Sequence, residues 1–166
     1  MSKIKIFLIL ISVAWISGCG FRPMHSDGRM MRREMQDIYI APISGTTGID
    51  LRNQLIVAWG TSNTEGARYT LKVNLHPPRT ILKGLQRTGD ATWQEIRIRA
   101  DWKLYENEKE IARGTESASE SYTFVADLIS AHASHIHAMN NSVQLVGSRI
   151  EAKVNAKLAT KSRDEG

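Results

Sequence analysis

The chain has 166 residues, a formal net charge of +5 from 22 basic and 17 acidic side chains, and a single cysteine. That length suits one domain with enough chain for a real core, and one cysteine excludes an intramolecular disulfide. The positive charge is mild and dispersed, so there is no nucleic-acid footprint, although an anionic partner such as a phosphorylated lipid is compatible with it.

The N-terminus has the three parts of an export signal. Lys3 and Lys5 form a short positive region, and Ile6 to Ile16 form an apolar run. At about 11 residues this run is too short for a spanning helix, which needs roughly 20. No second apolar run reaches spanning length. Ile16-Ser17-Gly18-Cys19 follows, with small residues where a signal peptidase tolerates little bulk. This tetrad resembles the lipobox of bacterial lipoproteins. The resemblance implies a signal peptide over 1–18 and a mature chain that starts at a lipidated Cys19. A thioether-linked lipid also disposes of a lone thiol in an oxidising compartment, and each buried CH₂ adds about 0.8 kcal/mol of membrane binding. An ordinary signal, or a signal anchor with a chance cysteine, is the competing reading. The residue after Cys19 is Gly20 rather than Asp, which in lipoproteins of this type favours the outer membrane.

Residues 19–36 lack sustained periodicity and read as a lipidated tether. The domain is expected over 37–160, with a disordered polar tail over 161–166. Ile38-Tyr39-Ile40-Ala41-Pro42-Ile43 is a short strand stopped by Pro42 and a Gly/Ser/Thr loop. Asp50 can cap a helix in which Leu51, Leu55, Ala58 and Trp59 share one face, and Gly60 ends it. In Tyr69–Leu75, Tyr69, Leu71, Val73 and Leu75 alternate with Thr70, Lys72 and Asn74, the pattern of a half-buried strand that Pro77-Pro78 stops. Arg79 to Asp90 reads as a polar connection. A longer strand places Ile96, Ile98, Ala100, Trp102 and Leu104 opposite Arg97, Arg99, Asp101 and Lys103, with Trp93 breaking parity at a bulge near Gln94. Glu106-Asn107-Glu108-Lys109 is a hairpin turn, and Ile111 to Tyr122 is the return strand. From Val125 to about Leu158 an apolar series runs through Ile129, His132, Ile136, Met139, Val143, Val146, Ile150, Val154 and Leu158 at helical spacing, with Asn140-Asn141 as a potential bend. The order strand, helix, three strands, helix predicts an α+β fold: a two-layer sandwich of a four-stranded, mostly antiparallel sheet with two helices on one face.

Chemistry-bearing clusters are few. His132, His135 and His137 invite a metal, but His137 points about 200° round the helix from His135, and zinc needs three or four converging ligands. No metal is expected; His132 reads as facing the sheet and the other two as solvated. No nucleophile sits with a base, so no catalytic residues are assigned and no enzyme or cofactor is expected. Arg97, Arg99 and Lys103 share one strand face about 7 Å apart at alternate positions. They read either as a solvated outer sheet face or as a cationic strip for phosphate or carboxylate, which guanidinium groups pair bidentately. Ile111 and Trp93 could equally serve a protein interface.

Taken together, these pieces resemble the LPS-assembly lipoprotein (LptE) family over nearly all of the mature chain. Cys19-Gly20-Phe21-Arg22-Pro23-Met24 is similar to that family's mature opening. Ile38 to Ile43 leading into Leu51-Arg52-Asn53-Gln54-Leu55 resembles its strand, loop and helix start. Tyr69-Thr70-Leu71-Lys72-Val73, Ala91-Thr92-Trp93, Trp102-Lys103-Leu104-Tyr105 and Ser121-Tyr122 before a long helix also fit. Trp93 departs from the Arg that many members have, and the last helix is less Ala-rich. The resemblance implies a lipoprotein on the periplasmic face of the outer membrane. Such a protein binds lipopolysaccharide and plugs the LptD β-barrel, assisting both its assembly and LPS insertion into the outer leaflet, without catalysing a reaction. Arg97, Arg99 and Lys103 are then the expected contacts for LPS phosphates. An auxiliary lipoprotein of an ABC-type lipid transporter is the first alternative, and a periplasmic enzyme the second.

Overall fold

The computed structural model describes residues 33–85, 91–123 and 127–164. The expected signal peptide and Cys19 lie outside the described residues. Of the expected tether, residues 33–36 form one helical turn. The chain then builds β1 (Ile38–Ile40), α1 (Thr46–Trp59), β2 (Tyr69–Leu75), β3 (Arg79–Leu85), β4 (Ala91–Glu106), β5 (Lys109–Thr123) and α2 (Leu128–Asp164). The result is the expected mixed α+β fold, an open and mostly antiparallel sheet with the helices packed on one face.

The long strand β4 organises the sheet. β5 pairs with it from Glu106↔Lys109 to Trp93↔Thr123. Along its other edge β2 pairs antiparallel from Tyr69↔Glu106 to Leu75↔Ala100, and β3 continues from Arg79↔Arg97. The segment read as a polar connection therefore contains a strand. Pro77 and Pro78 have no N–H to donate, so they interrupt the ladder without redirecting the chain. His76 still donates its N–H to the Arg99 carbonyl (2.9 Å) before β3 resumes on the same edge. β1 is parallel to β2, as a strand–helix–strand crossover requires. It covers Ile38–Ile40 only, shorter than the expected stretch to Ile43. Its outer edge is closed by side chains. Thr61 donates to the Ile38 carbonyl (2.6 Å), Asn63 accepts from the Ile40 N–H (2.6 Å), and Arg52 donates to the Ile40 carbonyl (3.0 Å). A short strand whose edge groups are already bonded offers no template to another chain.

α1 begins four residues before Asp50. Gly45, at φ 84°, stands at its N-cap, and the Ile49 N–H bonds the Gly45 carbonyl at 3.0 Å. A Cβ on Gly48 would lie 2.8 Å from the Ile43 side chain and 2.9 Å from its carbonyl, so only glycine lets the first turn sit against the exit of β1. Gly60, left-handed at φ 59°, ends the helix where expected. Between β4 and β5, Asn107 and Glu108 both take positive φ, 45° and 68°, which is the type I′ geometry that matches strand twist. Trp93 keeps the outward parity of Arg97 and Arg99 instead of breaking it. The β3–β4 register is irregular close to the expected place: Leu82 pairs Gln94 and Gly84 pairs Trp93, leaving Lys83 extra on β3, and Leu85 pairs Ala91, leaving Thr92 extra on β4.

α2 runs 37 residues without interruption, through Asn140-Asn141 and on to Asp164. Asp127 caps it, accepting from the Ser130 N–H (2.9 Å) and hydroxyl, bonds that hold its carboxyl below the ordinary range. Val143, Val146, Ile150, Val154 and Leu158 are buried as the periodicity predicts. The first half of the series is turned outward: Ile129 is 81% exposed, Ile136 39%, and His132 is exposed. Ala131 and Ala138 face inward in their place, because small residues let the helix approach β5 closely. At the other end Lys161, in the segment expected as a tail, pairs with Glu106 at 2.6 Å. The core lies between α1, α2 and the inner sheet face, with Leu51, Leu55, Tyr69, Leu71, Ile98 and Leu104 fully enclosed.

Candidate functional site

The helices bury one face of the sheet and leave the other bare, and strand register decides what that bare face presents. Partners in an antiparallel ladder share a face and stand about 4.5–5.5 Å apart. Across β2, β4 and β5 the outer face is therefore a stack of rows. One row is Lys72, Lys103 and Arg113; the next is Asn74, Asp101 and Thr115. Arg99 follows opposite Ser117, and Arg97 stands between Arg79 of β3 and Ser119 of β5. The first rows and Arg99 line a groove of about 540 Å³ on the outer sheet.

Asp101 is the polar centre of this groove. It accepts from the Thr115 hydroxyl (2.6 Å), His76 Nε2 lies 2.6 Å from its second oxygen, and Arg99 reaches it at 3.3 Å. Those bonds, Thr115's first and His76's and Arg99's after it, pull the Asp101 carboxyl down to about 2. Around it each carboxylate is shared by two bases. Glu110 meets Lys103 (3.4 Å) and Arg113 (3.2 Å), and Glu95 meets Lys83 (3.3 Å) and Arg97 (2.7 Å). Lys72 stands over the Tyr105 ring, 5.0 Å from its centroid. Positive charge is thus in excess on a solvated surface whose basic side chains are about half exposed. Like charges directly opposite one another destabilise a sheet, and in the row Lys72–Lys103–Arg113 the Glu110 carboxylate, paired with Lys103 and Arg113, offsets part of that repulsion.

Of the three residues expected from the sequence, the fold brings Arg99 and Lys103 into the groove and leaves Arg97 one row beyond, held by Glu95. Lys72, Arg113 and Thr115, which also line it, are not singled out by the sequence reading, nor is His76, which contacts Asp101. Lys72 was legible as outward-facing, but only register shows that it lies beside Lys103. The histidines do not converge: His135 packs edge-to-face on Tyr122, with ring centroids 5.6 Å apart, and His137 lies against Asn141 at 3.2 Å. This reverses the expected order, since His132 is exposed and His135 is the one that faces the sheet. Among the described residues no three His, Cys, Asp or Glu side chains come together as metal ligands. Among the same residues no helix is long and apolar enough to cross a membrane.

The fold is one that bacterial lipoproteins adopt. The chain is similar to a Caulobacter crescentus lipoprotein structure (22% identity, 79% of this chain and 97% of that one covered, TM-score 0.63). It is also similar to the rare lipoprotein B of Shewanella oneidensis (12% identity, 78% and 98% covered, TM-score 0.60). A minor lipoprotein from Acinetobacter baumannii matches at 17% identity over 73% and 92%, with TM-score 0.56. No protein-family model and no curated protein matches the sequence.

Proposed function

We propose that this chain is an outer-membrane lipoprotein, anchored through Cys19 on the periplasmic face, that binds lipopolysaccharide and fills an LptD-type β-barrel. The observation that carries the reading is the outer sheet groove, where rows of basic side chains outnumber the carboxylates between them. Guanidinium and ammonium groups held side by side on rigid strands suit phosphate groups, which take charge-assisted hydrogen bonds from both. Support comes from the lipobox-like Ile16-Ser17-Gly18-Cys19 and from a fold shared with solved lipoproteins. In this reading the role is non-catalytic: the groove offers charge and hydrogen-bond donors to an anion. A small two-layer domain with a polar outer face also suits the wet lumen of a wide barrel.

The deciding experiment is an affinity pull-down of the lipidated protein from detergent-solubilised envelope. Recovery of a large outer-membrane β-barrel together with LPS supports the reading. Recovery of an inner-membrane permease instead would transfer the protein to the ABC-type lipid transporters.

A further inference from the structure

Among the described residues no strand pairs with the outer edge of β5. One bond fixes which backbone groups that edge presents. The Arg99 carbonyl accepts from the His76 N–H, so it faces β2 and β3 rather than β5. Opposite residues in an antiparallel ladder either exchange both bonds or both turn away. Ser117, opposite Arg99, therefore turns its N–H and C=O outward, and Arg149 of α2 donates to that carbonyl. The pairing is regular from Lys103↔Arg113 to Trp93↔Thr123, so every second residue on either side of Ser117 turns outward with it. The edge of the short β1 is closed by side chains. β5 is 15 residues long, and among the described residues only the Ser117 carbonyl of its edge is met by a side chain.

A long unpaired edge is a template for another strand, and the residues of β5 fit a second β5. A two-fold pairing centred on Ser117 sets Thr115 beside Ser119, Arg113 beside Ser121, Gly114 beside Glu120 and Glu116 beside Ala118, with no like charges opposite. Moving the centre to Glu116 or Ala118 sets Glu116 opposite Glu116 or Glu120, which opposes pairing. The side of α2 above this edge is also suited. Ala133, Ser134 and Ala138 border a cleft with Glu120 and Tyr122. Leu145, 41% exposed, continues that side at helical spacing. From Leu128 to Ser148 the helix carries no Asp, Glu, Lys or Arg.

We propose that β5 pairs antiparallel with β5 of a second copy of this chain, centred on Ser117, so that one sheet runs through a two-fold dimer. About ten N–H···O bonds form between the Arg113–Ser121 stretches of the two copies. Arg149 gives up the Ser117 carbonyl and turns to Glu116 of the second copy, across the axis. α2 rests on both β4 and β5 and strands stand about 4.8 Å apart, so the two copies of α2 run about 10 Å apart, the spacing of packed helices. This interface goes beyond the reading of the outer groove and does not depend on what the groove binds.

The test is sedimentation velocity of the full mature lipoprotein in density-matched detergent, with disulfide trapping of single-cysteine variants and wild type as the control. The wild type shows a concentration-dependent monomer–dimer equilibrium. Opposite residues in a hydrogen-bonded pair have Cα atoms about 5.5 Å apart, within disulfide reach, so Ser117→Cys is trapped as a covalent dimer under mild oxidation. Ser121→Cys is not, because its two copies stand about 27 Å apart at about 3.4 Å per residue. Ser117→Pro removes both central N–H donors without touching the β4 ladder and weakens the dimer at least about tenfold. Ser117→Lys, solvated in the single copy, weakens it in the same direction by setting like charges opposite. A wild type that stays monomeric across its soluble range, or trapping of Ser121→Cys as efficient as that of Ser117→Cys, overturns the proposal.

Discussion

Gly114→Ala puts a methyl group into the space that the Trp102 ring occupies. A Cβ at position 114 would lie 2.7 Å from Trp102 Cζ2, 2.8 Å from Cε2 and 2.9 Å from Nε1. Carbon atoms in contact prefer about 3.5–4.0 Å, so the ring must move by about an ångström. Trp102 is only 4% exposed and packed within the core, so it has little room to yield. Overpacking of this kind costs about 1–3 kcal/mol. Glycine in a strand interior is itself less favourable than alanine by about 0.5–1 kcal/mol. The net expectation is a loss of about 1–2 kcal/mol, or about 3–10 °C in Tm for a domain of this size. Thermal unfolding by circular dichroism measures it. In a Trp102→Leu background the clash is absent, and the same glycine substitution becomes neutral or stabilising, a coupling that a double-mutant cycle reads directly. If Gly114→Ala is as stable as wild type in the presence of Trp102, the packing of this ring over β5 is refuted.

Three further outcomes follow from other elements. Ile150→Ala, at a fully buried position of α2, is expected to lower stability by about 2–5 kcal/mol, whereas Ile129→Ala, 81% exposed, should stay within about 0.5 kcal/mol; chemical denaturation distinguishes them, and equal effects would mean the helix is turned differently. Glu106 accepts from Lys161 (2.6 Å) and Arg68 (2.8 Å), bonds that hold its carboxyl below the ordinary range, Lys161's foremost. Its folded-state value is depressed, so its contribution is complete above the unfolded carboxyl value and is lost as pH falls through the folded one. Glu106→Gln should therefore remove about 1–3 kcal/mol at pH 7 and flatten the acid limb of the stability curve, measured by denaturant titration at several pH values. Glu108 takes φ 68° in the hairpin, which strains a residue with a Cβ by about 1–2 kcal/mol. Glu108→Gly should raise the unfolding midpoint, and a drop would argue against the type I′ turn.

Much of the fold was legible where a single periodicity governs a segment. Tyr69–Leu75 alternates cleanly and forms β2 with those bounds. The hairpin at Asn107-Glu108 and the helix stop at Gly60 likewise follow from local chemistry. β3 was not legible: its seven residues place Ile81, Leu82 and Leu85 without strict alternation, and Pro77-Pro78 masked the fact that the chain keeps its direction. The orientation of the first half of α2 was misread for a related reason. Ile129 and Ile136 mark an apolar stripe, yet α1 covers only the later part of α2, and close packing on β5 selects the alanine side instead. Asp50 looked like a helix cap, but the backbone at Gly45 and the close approach of Gly48 to Ile43 set the start earlier. For the site, alternation showed that Arg97, Arg99 and Lys103 point away from the core. Which cations stand beside them depends on cross-strand register, which no local pattern encodes, so Lys72 and Arg113 emerged only from the fold.

The most direct measurement is LPS binding by the full mature lipoprotein, wild type against Arg97→Ser/Arg99→Ser/Lys103→Ser, at fixed low salt and again at high salt. A groove that binds through charge gives the variant at least about tenfold weaker binding and a smaller loss on adding salt, because screening then has less to remove. Unchanged affinity and unchanged salt dependence in the triple variant would contradict the assignment of this sheet face as the anion site.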